Sequence, residues 1–412
     1  MIHDLQSPKS THSLDVVLAD CKIGTILRSP VHTFSFEQDY RDRGGSPPLS
    51  LSFHSATGEL RKPRKPLAGI LPAFFANLLP EGYLREAMEI HHQDSVRRRN
   101  DFDLLAALGA DLSGAVQVFP SDRPRLNETP KVRFSLAGIQ MKLSITKGND
   151  GPLTLPVGEQ QGHYIAKFPP VAFPGVSENE FANLALAAAI GMEVPERELV
   201  DRSDCEWIPE EFNAPSEGKV LLVRRFDRSA EGKRIHMEDF AQVFGVDPAR
   251  KYEGAYHNIA ASLNEAVSSA AALEFVRRLT LAAVTGNGDM HLKNWSLIYP
   301  GDGNSPALAP TYDVLSTVAY IPNDSMALSL GGERSFKALT VSRWKAFARR
   351  ARLPEQAVMN AVVETISLVN DRWWHLPERE VVTPKVRDRI DAHIKVMTPI
   401  LNTCASRGGA SS

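Results

Sequence analysis

The spacing of apolar and polar positions changes character along these 412 residues. Runs rich in β-branched, aromatic and leucine side chains at 14–18, 33–36 and 47–53 predict strands. Short helices are predicted over 73–79, entered at Pro72 and closed by Pro80 and Gly82, and over 101–108, stopped by Gly109. Strand-like runs recur at Phe134, 143–146, 164–168 and 221–227. Between the last two lies a helical stretch in which Phe181, Leu184 and Ala188 share a face. Ser177 with Glu180 three residues on predicts a capping box at its start, and Gly191 its stop. Beyond 227 the apolar interval becomes helical: 275–284, 344–351, 356–368 and 385–401 follow it, the last with Thr383 and Pro384 as N-cap and first turn. No internal repeat is present.

The polar, proline-bearing stretch 121–131 is the best candidate junction. Together with the change of pattern near 227 it divides the chain into an N-terminal α/β subdomain, 1–125, a mixed strand-rich lobe, 126–226, and a largely helical lobe, 227–412. The basic run 61–66 reads as a solvated linker.

Composition narrows the function without naming it. With 47 Lys+Arg against 49 Asp+Glu the formal charge is −2, so no chain-wide basic field favours nucleic acid. Cys21, Cys205 and Cys404 are too dispersed for a metal or redox pair, which fits a reducing compartment. The start has no apolar signal core, and the most apolar stretch, 184–192, is too short to span a membrane. The expectation is a cytoplasmic protein with no membrane partner.

The sharpest chemical pattern is Gly288-Asp-Met-His-Leu-Lys-Asn294, directly after a predicted helix. An acid, a histidine two residues on and an asparagine five on form Asp-x-His-x-x-Asn, a phosphotransferase loop pattern. Asp289 would accept the proton of an attacking hydroxyl, and Asn294 would ligate a magnesium ion. A second carboxylate follows in Pro310-Thr-Tyr-Asp313, for the metal. The bland alternative is that these Asx residues satisfy loop backbone donors. Upstream, Lys167 ends an apolar strand pattern where an ammonium needs a partner; phosphate and Glu180 are the candidates. Ser135-Leu-Ala-Gly-Ile-Gln-Met-Lys142 is a small-residue turn whose N–H groups around Gly138, with Lys142, could cradle phosphate, although it matches neither common Gly-rich phosphate motif and, taken alone, is better explained as a plain β-turn.

In their order, these motifs, with Asn77-Leu-Leu-Pro-Glu, Glu178-Asn-Glu180, Arg225-Phe-Asp-Arg228 and Arg234-Ile-His-Met-Glu-Asp239, resemble the HipA serine/threonine kinase toxins, from about residue 14 to the C-terminal helices. The resemblance implies an α+β, two-lobed protein-kinase-like fold with an extra N-terminal subdomain. It implies ATP and Mg²⁺ as cofactors, with Asp289 and His291 in the catalytic loop and Asn294 and Asp313 on the metal. Lys167, and Ala137, Gly138, Gln140 and Lys142 of a phosphate loop, would hold the nucleotide's phosphates. Arg224, Phe226 and Asp227 would form the hinge at adenine, and Ser135 would be an inhibitory autophosphorylation position. The implied partners are a helix-turn-helix antitoxin of HipB type, operator DNA reached through it, and a protein substrate of the aminoacyl-tRNA synthetase class. A corepressor acting without catalysis, and a small-molecule or lipid kinase, are the alternatives.

Overall fold

A computed structural model describes residues 11–43, 47–55, 58–61, 66, 69–92, 96–97, 99–122, 141–147, 153–154, 156, 162–205 and 218–406, the last six by backbone alone. The strand expected at Phe134, Ser135, Ala137, Gly138 and Gln140, and most of the basic run 61–66, lie outside these residues.

The N-terminal part is an antiparallel sheet of β1 (Ser13–Leu18), β2 (Cys21–Leu27), β3 (Thr33–Phe36) and β4 (Val116–Pro120) in the order β3-β2-β1-β4. It carries the helices α1 (Gln38–Asp42), α2 (Ala73–Ala76), α3 (Gly82–His91) and α4 (Asp101–Leu108). A second sheet follows: β5 (Lys142–Lys147), β6 (Leu153–Thr154), β7 (Tyr164–Lys167), β8 (Arg197–Asp201) and β9 (Lys219–Arg224), ordered β6-β5-β7-β9-β8, with α5 (Val176–Ala189) between β7 and β8. A small sheet of β10 (His236–Asp239), β11 (Ser296–Tyr299) and β12 (Ala307–Leu308) opens the C-terminal part. The helices there are α6 (Phe240–Phe244), α7 (Tyr256–Ala266), α8 (Ser269–Thr285), α9 (Val341–Ala351), α10 (Glu355–Trp373) and α11 (Pro384–Ser406). This is the α+β, two-lobed kinase-like architecture with an additional N-terminal unit. Among the described residues no helix is long and apolar enough to cross a membrane.

Strand periodicity explains how the second sheet faces two environments. Side chains alternate across a strand. Leu143, Ile145, Ala166 and Leu222 therefore lie on the face that joins Leu14, Val16, Ile26, Phe34 and Phe75 of the N-terminal part in one buried cluster. Lys142, Ile165, Lys167 and Val223 occupy the opposite face, which lines a cavity. A separate cluster fills the helical lobe around Phe275, Trp295, Trp344 and Trp373.

Two sequence expectations fail for identifiable reasons. The run 47–53 is not a strand; its end is a 3₁₀ turn, Leu51–Phe53, capped by the Ser50 side chain, and the Leu51 N–H is taken at 3.0 Å by Glu238 of a distant strand. Pro47 and Pro48 remove two backbone donors from any ladder. The capping box at Ser177 does not form either: the helix begins one residue earlier behind Gly175, in the left-handed region at φ 75°, and Glu180 is drawn instead to Lys167.

The N-terminal part is wired to the second sheet by charge as well as by apolar packing. Asp111, in the turn after α4, receives Arg225 at 3.1 Å and Arg228 at 2.7 Å, and Asp227 receives the same two guanidinium groups at 2.8 and 2.9 Å. The Gly114 N–H donates to Asp227 at 2.8 Å. Burial alone would push both carboxyls up, but the arginines outweigh it and hold both below the usual carboxylate range. Asp111→Ala leaves two buried guanidinium groups sharing the single carboxylate of Asp227 and is expected to lower stability by about 3–5 kcal/mol, measured by denaturant unfolding. Because both folded-state pKa values are depressed, the stability these aspartates contribute is complete above the unfolded-chain value of about 4 and is lost as pH falls below it. An acid titration of the wild-type chain should therefore show a loss below that pH that is smaller in the Asp111→Ala variant.

Candidate active site

The catalytic-loop pattern stands where a long helix stops. Gly286 ends α8 in the left-handed region at φ 74° and donates its N–H to Ala282. The loop that follows is anchored by its apolar residues: Met290, Leu292 and Trp295 are buried in the helical core. Asp289 and Asn294 border the cavity. Asn294 Nδ2 donates to the Asp289 carbonyl at 2.8 Å, which uses the donor end of the amide and leaves its oxygen as an acceptor. Asn287, which the sequence pattern does not include, ties the loop to the second acidic segment: its Oδ1 accepts from the Asp289 N–H at 3.1 Å and its Nδ2 donates to the Asp313 carbonyl at 3.4 Å.

Asp313 stands opposite, at φ 52°, a left-handed conformation that aspartate tolerates better than most side chains. The β5–β7 register sets Lys142 directly across from Lys167, so both ammonium groups reach the same face. Asp313 bonds to both, at 3.1 Å to Lys142 and by a close contact to Lys167. Lys167 also pairs with Glu180 from α5. Burial by itself would lower the Lys167 ammonium; Asp313 and Glu180 outweigh it and raise it above the ordinary lysine value. Burial would likewise raise Asp313, but Lys142 and Lys167 hold it well below the usual range.

These groups surround one cavity of about 580 Å³. Lys142, Lys167, Asp289, Asn294 and Asp313 all line it, so residues separated by more than a hundred positions converge. Val223, Arg224 and Phe226 line it too, and the Phe226 ring lies 5.5 Å from that of Tyr312, which gives it an apolar wall. The Arg224 side chain turns to Glu196 at 2.9 Å, and the Asp227 carboxylate is spent on arginines. What this segment can offer a ligand is therefore chiefly backbone and the Phe226 ring.

Asp289 is half-buried, and burial pushes its carboxyl above the ordinary aspartate value, with Asp313 adding to the shift while Tyr252 and Lys251 oppose it. His291 sits 3.9 Å from Asp289, but burial, aided by Lys251 and Lys293, pushes its ring down to about 3. It is neutral at physiological pH and lines the cavity beside Asp289. His236, buried and stacked on Tyr299 with Nε2 2.9 Å from the Leu49 carbonyl oxygen, is a structural residue.

Sequence reasoning missed a further contributor from the N-terminal part. Glu81 holds Lys251 at 2.8 Å and Lys293 at 2.6 Å, reaching from the start of α3 to the catalytic-type loop. The signal was present in Asn77-Leu-Leu-Pro-Glu, but nothing in the local pattern says that its acid faces two lysines far along the chain. Asn77 and Gln242 reinforce the junction, donating to the carbonyls of Val246 at 2.8 Å and Phe74 at 3.0 Å.

Comparison with known proteins fits this geometry. Residues 14–119 match the model of the HipA N-terminal domain, and residues 134–373 that of the HipA-like C-terminal domain. The chain belongs to the HipA family. Among its HipA-family relatives, the Sinorhizobium fredii protein named "Putative kinase Y4dM" is 40% identical over 402 residues, covering 94% of this chain and 97% of that one. A Shewanella oneidensis protein named serine/threonine-protein kinase toxin HipA is 26% identical over 420 residues, covering 86% of this chain and 87% of the relative. The solved complex of Shewanella oneidensis HipA with HipB and operator DNA superposes with a TM-score of 0.73 at 20% identity, covering 95% of this chain and 97% of that chain, a likeness of fold.

In this HipA-family loop Gly288 is held by contact. A Cβ added there would lie 2.3 Å from Asp324 Oδ2 and 2.6 Å from the Ser325 carbonyl oxygen. Gly288→Ala is expected to lower stability by about 1–3 kcal/mol, as overpacking does, and to displace Asp289. Thermal unfolding measures the first, and a structure of the variant with the Asp289 carboxylate unmoved would refute the second.

Proposed function

We propose that this protein is an ATP- and Mg²⁺-dependent kinase that phosphorylates a serine or threonine hydroxyl on a protein, and acts in the cytoplasm as the toxin of a pair with a helix-turn-helix antitoxin of HipB type. One observation carries the reading: Lys167, Asp289, Asn294 and Asp313 border a single cavity whose other wall is the strand-to-turn segment 223–226. The names of the relatives agree with a kinase. The division of labour follows the earlier boundaries, with 126–226 and 227–412 forming the cleft and 1–125 supporting it.

Each residue has a chemical task. Lys167 and Lys142 bind phosphate oxygens as point charges, and Glu180 keeps Lys167 in place. The backbone of 224–226 and the rings of Phe226 and Tyr312 receive the base. Asp289 accepts the proton of the acceptor hydroxyl, and its burial makes it a stronger base than an exposed aspartate. Asn294 and Asp313 are the donors for a magnesium ion. Such an ion would complete its shell with phosphate oxygens and water. Bound there, ATP supplies the phosphoryl group and magnesium offsets its charge. Ala137, Gly138 and Gln140 complete the phosphate loop, and Ser135 is the position of an inhibitory self-phosphorylation. An aminoacyl-tRNA synthetase is the substrate class, and operator DNA is reached through the antitoxin.

Asp289→Asn and Asp313→Asn are each expected to lower phosphate transfer from radiolabelled ATP by about 10²-fold or more, with circular dichroism unchanged. Full-rate transfer in either variant overturns the assignment. Mass spectrometry of the wild-type chain incubated with ATP should place a phosphate on Ser135 and find none there in Ser135→Ala; a phosphate elsewhere only would reject that site.

A further inference from the structure

The side chain nearest the loop's acid is one that the Asp-x-His-x-x-Asn pattern does not contain. Tyr252 Oη donates to Asp289 Oδ1 at 2.6 Å. Its position is fixed from three sides. Arg334 Nη2 donates to the Tyr252 carbonyl at 2.7 Å, the His291 ring meets the phenol edge-on with centroids 4.9 Å apart, and the Lys251 ammonium lies 5.6 Å from the ring centre. The residue nevertheless remains 39% exposed and lines the same cavity as Asp289. A large side chain at the mouth of a cleft has no packing reason to be held so closely.

A carboxylate offers two oxygens, and a base that must meet an incoming hydroxyl in one direction needs the other oxygen restrained. Loop attachment does not do this: the bonds from Asn287 and Asn294 reach the Asp289 backbone and leave its side-chain torsions free. The geometry points to Tyr252 as a positioning residue for Asp289: its hydroxyl engages Oδ1, fixes the plane of the carboxylate and leaves Oδ2 to the acceptor hydroxyl, while His291 braces the phenol. This rests on the kinase reading above, and it gives His291 its place in the loop, a wall behind Tyr252.

The test is a steady-state comparison of the full chain and Tyr252→Phe, with ATP and dephosphorylated casein as acceptor. A fluorescent ATP analogue measures nucleotide binding independently. The expected result is a kcat lower by roughly tenfold, the scale of one lost hydrogen bond to a charged group, with the KM for ATP and the analogue's affinity changed by less than about twofold. A residue that only supported the fold would weaken nucleotide binding as well. Because Tyr252 acts through Asp289, adding Tyr252→Phe to Asp289→Asn should slow the enzyme no further. Unchanged kcat in Tyr252→Phe, a loss expressed as raised KM for ATP, or a full additional tenfold loss in the double variant would each overturn the proposal. Absence of transfer by the wild-type chain both to casein and to itself is a separate outcome: it overturns the kinase reading, and this inference falls with it.

Discussion

Two ammonium groups directly opposed on neighbouring antiparallel strands repel each other, and a sheet carries such a pair only if an anion stands between them. Lys142 and Lys167 are in this position, and the anion is Asp313, which comes from a loop in the other lobe. Glu180 balances the second charge from α5. Much else follows from this quartet. It fixes which face of the second sheet is the cleft. It holds the Asp313 backbone in a conformation that a side chain rarely adopts. It also draws the strand-rich and helical lobes together across the cavity without filling it, which packing of apolar residues at the same place would do.

The N-terminal part repeats the device at both ends of the cleft. Asp111 meets Arg225 and Arg228, which flank the segment joining the lobes, and Glu81 meets Lys251 and Lys293 beside the catalytic-type loop. In each case a carboxylate from the first 120 residues bridges cations that the later chain brings together. Removing one partner of such a buried cluster is far more damaging than never having built it. The N-terminal part is therefore structurally continuous with the site, and its apolar residues share a buried cluster with the back of the second sheet.

What could be read from sequence was local. The 101–108 helix, the 33–36 strand and the long C-terminal helices follow from spacing, caps and breakers that act within a few residues. The loop motif stood out because Asp289, Asn294 and Asp313 are residue types that a buried turn tolerates only with partners, and the three border one cavity. The failures were non-local. Ser177 and Glu180 have the letters of a capping box, but Lys167, thirteen positions away, competes for the carboxylate and wins because both groups are buried. The run at 47–53 has apolar content, yet a donor from Leu51 is taken by Glu238. The contacts of Glu81 with Lys251 and Lys293, of Asn287 with Asp313 and of Tyr252 with Asp289 cross distances that no local window contains, and the burial of His291 is likewise invisible in its motif.

The charges in the cleft also bear on how a nucleotide would be accommodated. Lys142 and Lys167 are matched by Glu180 and Asp313, and Lys251 and Lys293 by Glu81 and Asp289, so among the described residues these groups bring no excess of positive charge to the cavity. A triphosphate carries several negative charges, and burying them against a balanced site would be strongly unfavourable. On the proposed reading, a divalent cation has to enter with the nucleotide. In that exchange Lys142 and Lys167 would hold phosphate oxygens, Asp313 with Asn294 would hold the metal, and Glu180 would keep Lys167 in place. Asp289 keeps its hydrogen bond from Tyr252 through that exchange, because neither residue belongs to the lysine quartet. The carboxylate that would accept a proton thus has a contact of its own, while Asn287 keeps its backbone tied to that of Asp313.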